Sequence, residues 1–92
     1  MGEIINVPTE LHRTLLHCMA DTLIVVNPDG LMDEGERLSL ARRYAERWHH
    51  RTPQDSHATE CALLVHAPAV RPGATRDEYA AVLRLVAEGV TA

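Results

Sequence analysis

Ninety-two residues, 46% apolar and 24% charged, describe one small globular domain: too short for two independent cores and too apolar for wholesale disorder. Nine basic residues against thirteen acidic leave a net charge of −4, which argues against a general nucleic-acid binder. Phe is absent, and Tyr44, Trp48 and Tyr79 are the large aromatics, so Leu, Val and Ala must fill the interior.

The chain opens without the basic start and apolar run of a secretory signal. No apolar stretch approaches the length of a membrane span. Two cysteines, Cys18 and Cys61, are too few for a disulfide scaffold. A cytoplasmic location is therefore expected, with no membrane contact.

Turn residues gather at Asn27-Pro28-Asp29-Gly30, at Arg51-Thr52-Pro53 and from Pro68 to Gly73. They cut the chain into four segments of helical length. The first is expected over about 9–26, where Leu11, Leu15, Cys18, Met19, Thr22 and Val26 recur at helical spacing behind Pro8 and Thr9. The second spans about 33–50. Asp33 with Glu36 three residues on makes a capping-box-like start, and Leu40, Ala41, Tyr44, Ala45 and Trp48 form the apolar stripe. That stripe should bury Trp48 against the Leu15/Met19 face of the first helix.

The third helix, 53–66, starts with a Thr cap, a Pro in the first turn and an early acid. Its expected buried side is Ala58, Cys61, Ala62, Leu64 and Val65. The fourth, 76–90, follows the Thr-x-x-Glu box of Thr75 and Glu78, with Tyr79, Val82, Leu83, Val86 and Val90 on the stripe. The reading is all-α: a single domain, 1–92, forming a four-helix bundle of two helix–loop–helix units. The alternative is a small α/β fold, with Thr22–Val26 and Cys61–Ala67 as β-branched or apolar strands and Ile4, Ile5 and Val7 as a third.

The first inter-helix turn carries Asp29-Gly30, an apolar residue two places on (Met32), then Asp33 and Glu36. This spacing resembles the second half of an EF-hand loop. Arg71-Pro72-Gly73-Ala74-Thr75-Arg76-Asp77-Glu78 resembles the end of a second such loop, with Arg71 and Pro72 where an acid and Gly belong. The first turn is also similar to that of TerB-like helical proteins. The resemblance spans about twenty residues. It implies paired helix–loop–helix units, apolar residues meeting between the two loops, and calcium ligands at Asn27, Asp29, Asp33 and Glu36. Counted back from Glu36, the opening ligand position falls on Val25, which cannot coordinate. The favoured reading of these residues is a capped turn, with no metal and no cofactor.

Six histidines invite a second metal alternative. His57 and Cys61 share one helical face, and His49 and His50 could fold back toward them. Zinc needs about four such ligands in a tetrahedron, and the spacing matches no familiar zinc motif. A Cys–His nucleophile pair lacks an orienting third residue. His12 and His17 read as surface or boundary residues. No phosphate loop, dinucleotide fingerprint or nucleophile elbow is present, so no enzyme is expected.

What remains is surface. Arg43, Arg47 and Arg51 form a basic ridge at four-residue spacing beside Tyr44 and Trp48, with Arg37 and Arg42 nearby. Such a ridge is commonly a solvated face. It also suits an acidic protein, because Arg pairs bidentately with carboxylates. Ile24, Leu63 and Leu85 fall off their helical stripes and, with Ile4, Ile5 and Val7, could form an exposed patch. The expected function is a small non-enzymatic protein that binds another protein of acidic surface, or a second copy of itself as a homodimer, as a regulator, inhibitor or assembly subunit. The alternative is a metal-responsive module using the 27–36 turn or His57/Cys61.

Overall fold

Three of the four described helices begin behind a residue whose side chain caps them. In the computed structural model, which describes residues 8–89, α1 spans Glu10–Val25, α2 Glu34–Trp48, α3 Pro53–His66 and α4 Arg76–Ala87. Thr9 accepts from the His12 amide and Asp33 from the Glu36 amide. At α4 the full reciprocal capping box of Thr75 and Glu78 is formed. Thr52 makes no side-chain cap. There Pro53 itself opens the helix, its missing N–H being one of the donors a first turn leaves unpaired.

The bundle is assembled across the two units. α1 packs chiefly on α4 and α2 on α3. The α1–α4 pair is antiparallel: Arg76 Nε donates to the Val26 carbonyl at one end, and Arg13 pairs with Glu88 at the other. In the α2–α3 pair, His49 Nε2 meets the Thr59 hydroxyl at 2.9 Å at one end. At the other, Arg37 donates to the carbonyls of Leu64 and Ala67. A cation on the last carbonyls of a helix is favourably placed against its dipole.

Leu16, Met19, Leu23, Leu40, Leu63 and Leu83 are the largest fully buried side chains. Tyr79 joins the same core, and its hydroxyl donates to the Pro68 carbonyl. Burial pushes the Tyr79 phenol up to about 12, against the opposing pull of Arg37. The α/β alternative falls. Thr22–Val25 lies in α1 and Cys61–His66 in α3, and the extended pairing among the described residues is one bridge, Leu31 with Thr75. That bridge joins the two inter-helix turns, with Met32 N donating to the Ala74 carbonyl at 2.9 Å.

Two expectations about the core are corrected. Trp48 is 57% exposed. By helical angle it lies on the inward arc between Leu40 and Ala45, but it is the last residue of α2 and extends past its neighbours. Helix α3 is also rotated relative to its expected phase. Ser56, Thr59 and Leu63 face inward, whereas Ala58, Cys61 and Val65 are exposed. Apolar residues are spread round this helix, so its phase is set from outside, by the Arg37 and His49 contacts to α2. Ile4, Ile5 and Val7, and the last residue of the fourth stripe, Val90, lie outside the described residues.

Candidate partner-binding surface

The C-terminal half of α2 presents the arginine ridge to solvent. Arg43 and Arg47 are exposed on the helix, and no ion pair among the described residues involves either of them. The Arg47 guanidinium lies 5.3 Å from the centroid of the Tyr44 ring, a cation–π distance. The Tyr44 hydroxyl bonds Thr22 of α1, which fixes the ring as a platform for Arg47. Arg51 is exposed but lies beyond the end of α2. The helical ridge is therefore Arg43 and Arg47, extended by the exposed Trp48.

The other two arginines of this stretch are engaged elsewhere. Arg37 is clamped onto the end of α3 and on Glu34, Nη1 to Oε2 at 3.0 Å. Arg42 reaches Glu60 of α3 at 3.6 Å. Composition could not separate these two structural arginines from the free pair, because the difference lies in which neighbour each one faces.

Of the off-stripe apolar residues, Ile24 and Leu85 are exposed as expected, while Leu63 is fully buried. Leu63 is therefore a core residue and not a contact for a partner. Its expected exposure depended on the phase of α3, which the packing reverses.

The proposed metal ligands are dispersed. Asp33 Oδ1 is held by the Glu36 amide at 2.7 Å. The Glu36 carboxylate is paired with the guanidinium of Arg76, a buried side chain that also donates to Val26 O at 2.8 Å. Arg76 thus provides a covalently attached cation between the two turns, a role the sequence alone did not suggest. Asn27 takes a left-handed backbone at φ 53°, which Asn tolerates, and its carbonyl accepts from the Gly30 amide. His57 Nε2 lies 3.7 Å from Cys61 Sγ, with both residues exposed. Among the described residues no group of three or more His, Cys, Asp or Glu is placed to hold a metal ion.

A polar recess of about 440 Å³ opens between the end of α2 and the start of α3, lined by Arg42, Glu46, His49, His50, His57 and Glu60 among others. Its two carboxylates oppose its one arginine, which gives it no marked preference for an anion. On the α1–α4 side, Arg84 donates to His17 Nδ1 at 3.1 Å, leaving Nε2 to donate to Glu88 at 2.8 Å. The bond from His17 holds the Glu88 carboxyl below its usual range, with Arg13 assisting. His12 and His17 are both half-buried, within the expected surface-or-boundary range, and the His12 ring lies 6.3 Å from that of His66 on α3.

No protein-family model, curated protein or solved structure matches the chain. Among the described residues no helix is long and apolar enough to cross a membrane.

Proposed function

We propose that this protein is a non-enzymatic binding module whose contact surface is the exposed end of α2. The observation that carries the reading is the exposure of Arg43, Arg47 and Trp48 together, with neither arginine in an ion pair among the described residues. Arg and Trp are over-represented among the residues that dominate interface energy. An exposed Trp beside two exposed guanidinium groups suits a surface that is acidic around an apolar centre. Regulator, inhibitor and assembly subunit all fit such a surface.

Two free cysteines support a reducing, cytoplasmic setting. The paired turns, with Met32 bonded to Ala74, support the EF-hand resemblance as one of architecture. Engagement of Glu36 by Arg76 weighs against calcium as its ligand.

A photoreactive residue at position 48, irradiated in the native cell, tests the surface. A discrete adduct is expected, and Arg43→Glu with Arg47→Glu should abolish it while leaving the far-ultraviolet circular dichroism unchanged. An adduct that persists after charge reversal would show that the arginines are only a solvated face.

A further inference from the structure

The two inter-helix turns build an edge whose character is opposite to that of the α2 ridge. Arg76 N donates to the Gly30 carbonyl at 2.8 Å and Asp77 N to the Pro28 carbonyl at 3.0 Å. Together with the Met32–Ala74 bond, these contacts join residues 28–32 to residues 74–77, and the bond from Arg76 Nε to the Val26 carbonyl brings Val26 to the same edge. Val25 is 77% exposed and Leu31 70%, with Val26 exposed between them in the chain. Asp29 and Asp33 are exposed on the first of these turns and Asp77 at the start of α4. The arginine built into this edge, Arg76, is buried and already neutralised by Glu36. The result is an apolar strip with an acidic border, the complement of a basic ridge that carries an aromatic residue.

That complement exists on the same chain but cannot be used within one copy. Helix α2 starts beside the turns at Glu34 and presents Arg43, Arg47 and Trp48 toward its other end. At 1.5 Å per residue the edge and the end of the ridge are about 20 Å apart along a rigid helix. Only a second molecule can bring them together. We propose that the chain self-associates head to tail, the Arg43–Arg47–Trp48 ridge of one copy docking on the Val25–Val26–Leu31 edge of the next.

This rests on the binding role assigned to α2 and names its partner as a second copy. The contact joins two different surfaces, so it propagates as an open chain or closes as a ring. It weakens as salt screens the arginine–aspartate attraction.

Sedimentation of the full chain and two variants provides the test. The wild-type mass should rise with concentration and fall with added salt. Arg43→Glu/Arg47→Glu lacks the ridge, and Asp29→Lys/Leu31→Ser lacks the edge, so each alone should sediment as a monomer. Mixed in equal amounts they should form a 1:1 dimer and nothing larger, because each retains one intact surface. Neither pair of substitutions replaces a capping residue or a core residue, and circular dichroism checks that both variants fold. A wild-type chain that is monomeric up to millimolar concentration, or variants that associate as the wild type does, would overturn the proposal. In the first case, an adduct from position 48 to a different protein would leave the binding role of α2 standing while removing self-association.

Discussion

Leu63 and Trp48 show how little residue type says about position. Both are large and apolar, yet the leucine is fully buried and the tryptophan more than half exposed. Truncating Leu63 removes packed atoms at the centre of the bundle and leaves a cavity. Leu63→Ala should therefore cost about 3 kcal/mol, a large share of the stability of a domain this size. Trp48→Ala should cost less than about 1 kcal/mol, as expected of a side chain that buries little. Chemical denaturation of the two variants checks the pair. A Trp48→Ala protein destabilised as much as Leu63→Ala would show that the tryptophan is covered in solution. A small cost is also what the binding role needs, since a contact residue must be free to meet its partner.

At the scale of elements, α1 and α3 bring two histidine rings, His12 and His66, to 6.3 Å at the edge of the core. Burial, with His66 of α3 and His49 at the end of α2 facing it, holds the His12 imidazole below the usual histidine range. The folded state thus favours neutral His12, whereas the unfolded chain protonates it near the ordinary value of about 6.5. The stability this provides is present above that value and is lost as pH falls through the lower folded-state value. The melting temperature should drop as pH falls below about 6.5, and His12→Gln should flatten that drop. Titration followed by nuclear magnetic resonance should place the His12 midpoint below 6.5 and move it up in His66→Gln. An unchanged midpoint in that variant would mean that the two rings do not sense each other.

For the molecule as a whole, an arginine joins the two inter-helix turns alongside their backbone bridge. Arg76 donates to Val26, pairs with Glu36 and lies next to the bridge between Leu31 and Thr75. Its removal leaves a largely buried carboxylate without its counter-charge. Arg76→Ala should destabilise the fold by about 3 kcal/mol, and adding Glu36→Gln should recover part of that loss. Thermal unfolding of the single and double variants measures the coupling. If the double variant loses as much as the sum of the two single changes, the pair contributes no coupling. An attached cation at this joint also explains how a turn with degraded calcium ligands can hold its shape: the positive charge comes with the chain.

The sequence by itself determined the four helices, because their starts depend on local capping. Thr9, Asp33 and the Thr75–Glu78 box act within a turn of their own position, and Pro28, Pro53 and Pro68 mark the breaks. It also revealed the exposed Arg43–Arg47 pair, since four-residue spacing fixes a common face. Only the tertiary structure decided the phase of α3, whose apolar residues are distributed on all sides and whose orientation comes from Arg37 and His49 of α2. It alone decided the exposure of Trp48, because periodicity reports the angle of a side chain about its helix and not whether a neighbour extends far enough to cover it. The same reason hid the role of Arg76. An arginine at the start of a helix is ordinary in sequence, and it becomes the joint of the fold only when the other turn, fifty residues away in the chain, supplies Val26 and Glu36 as its partners.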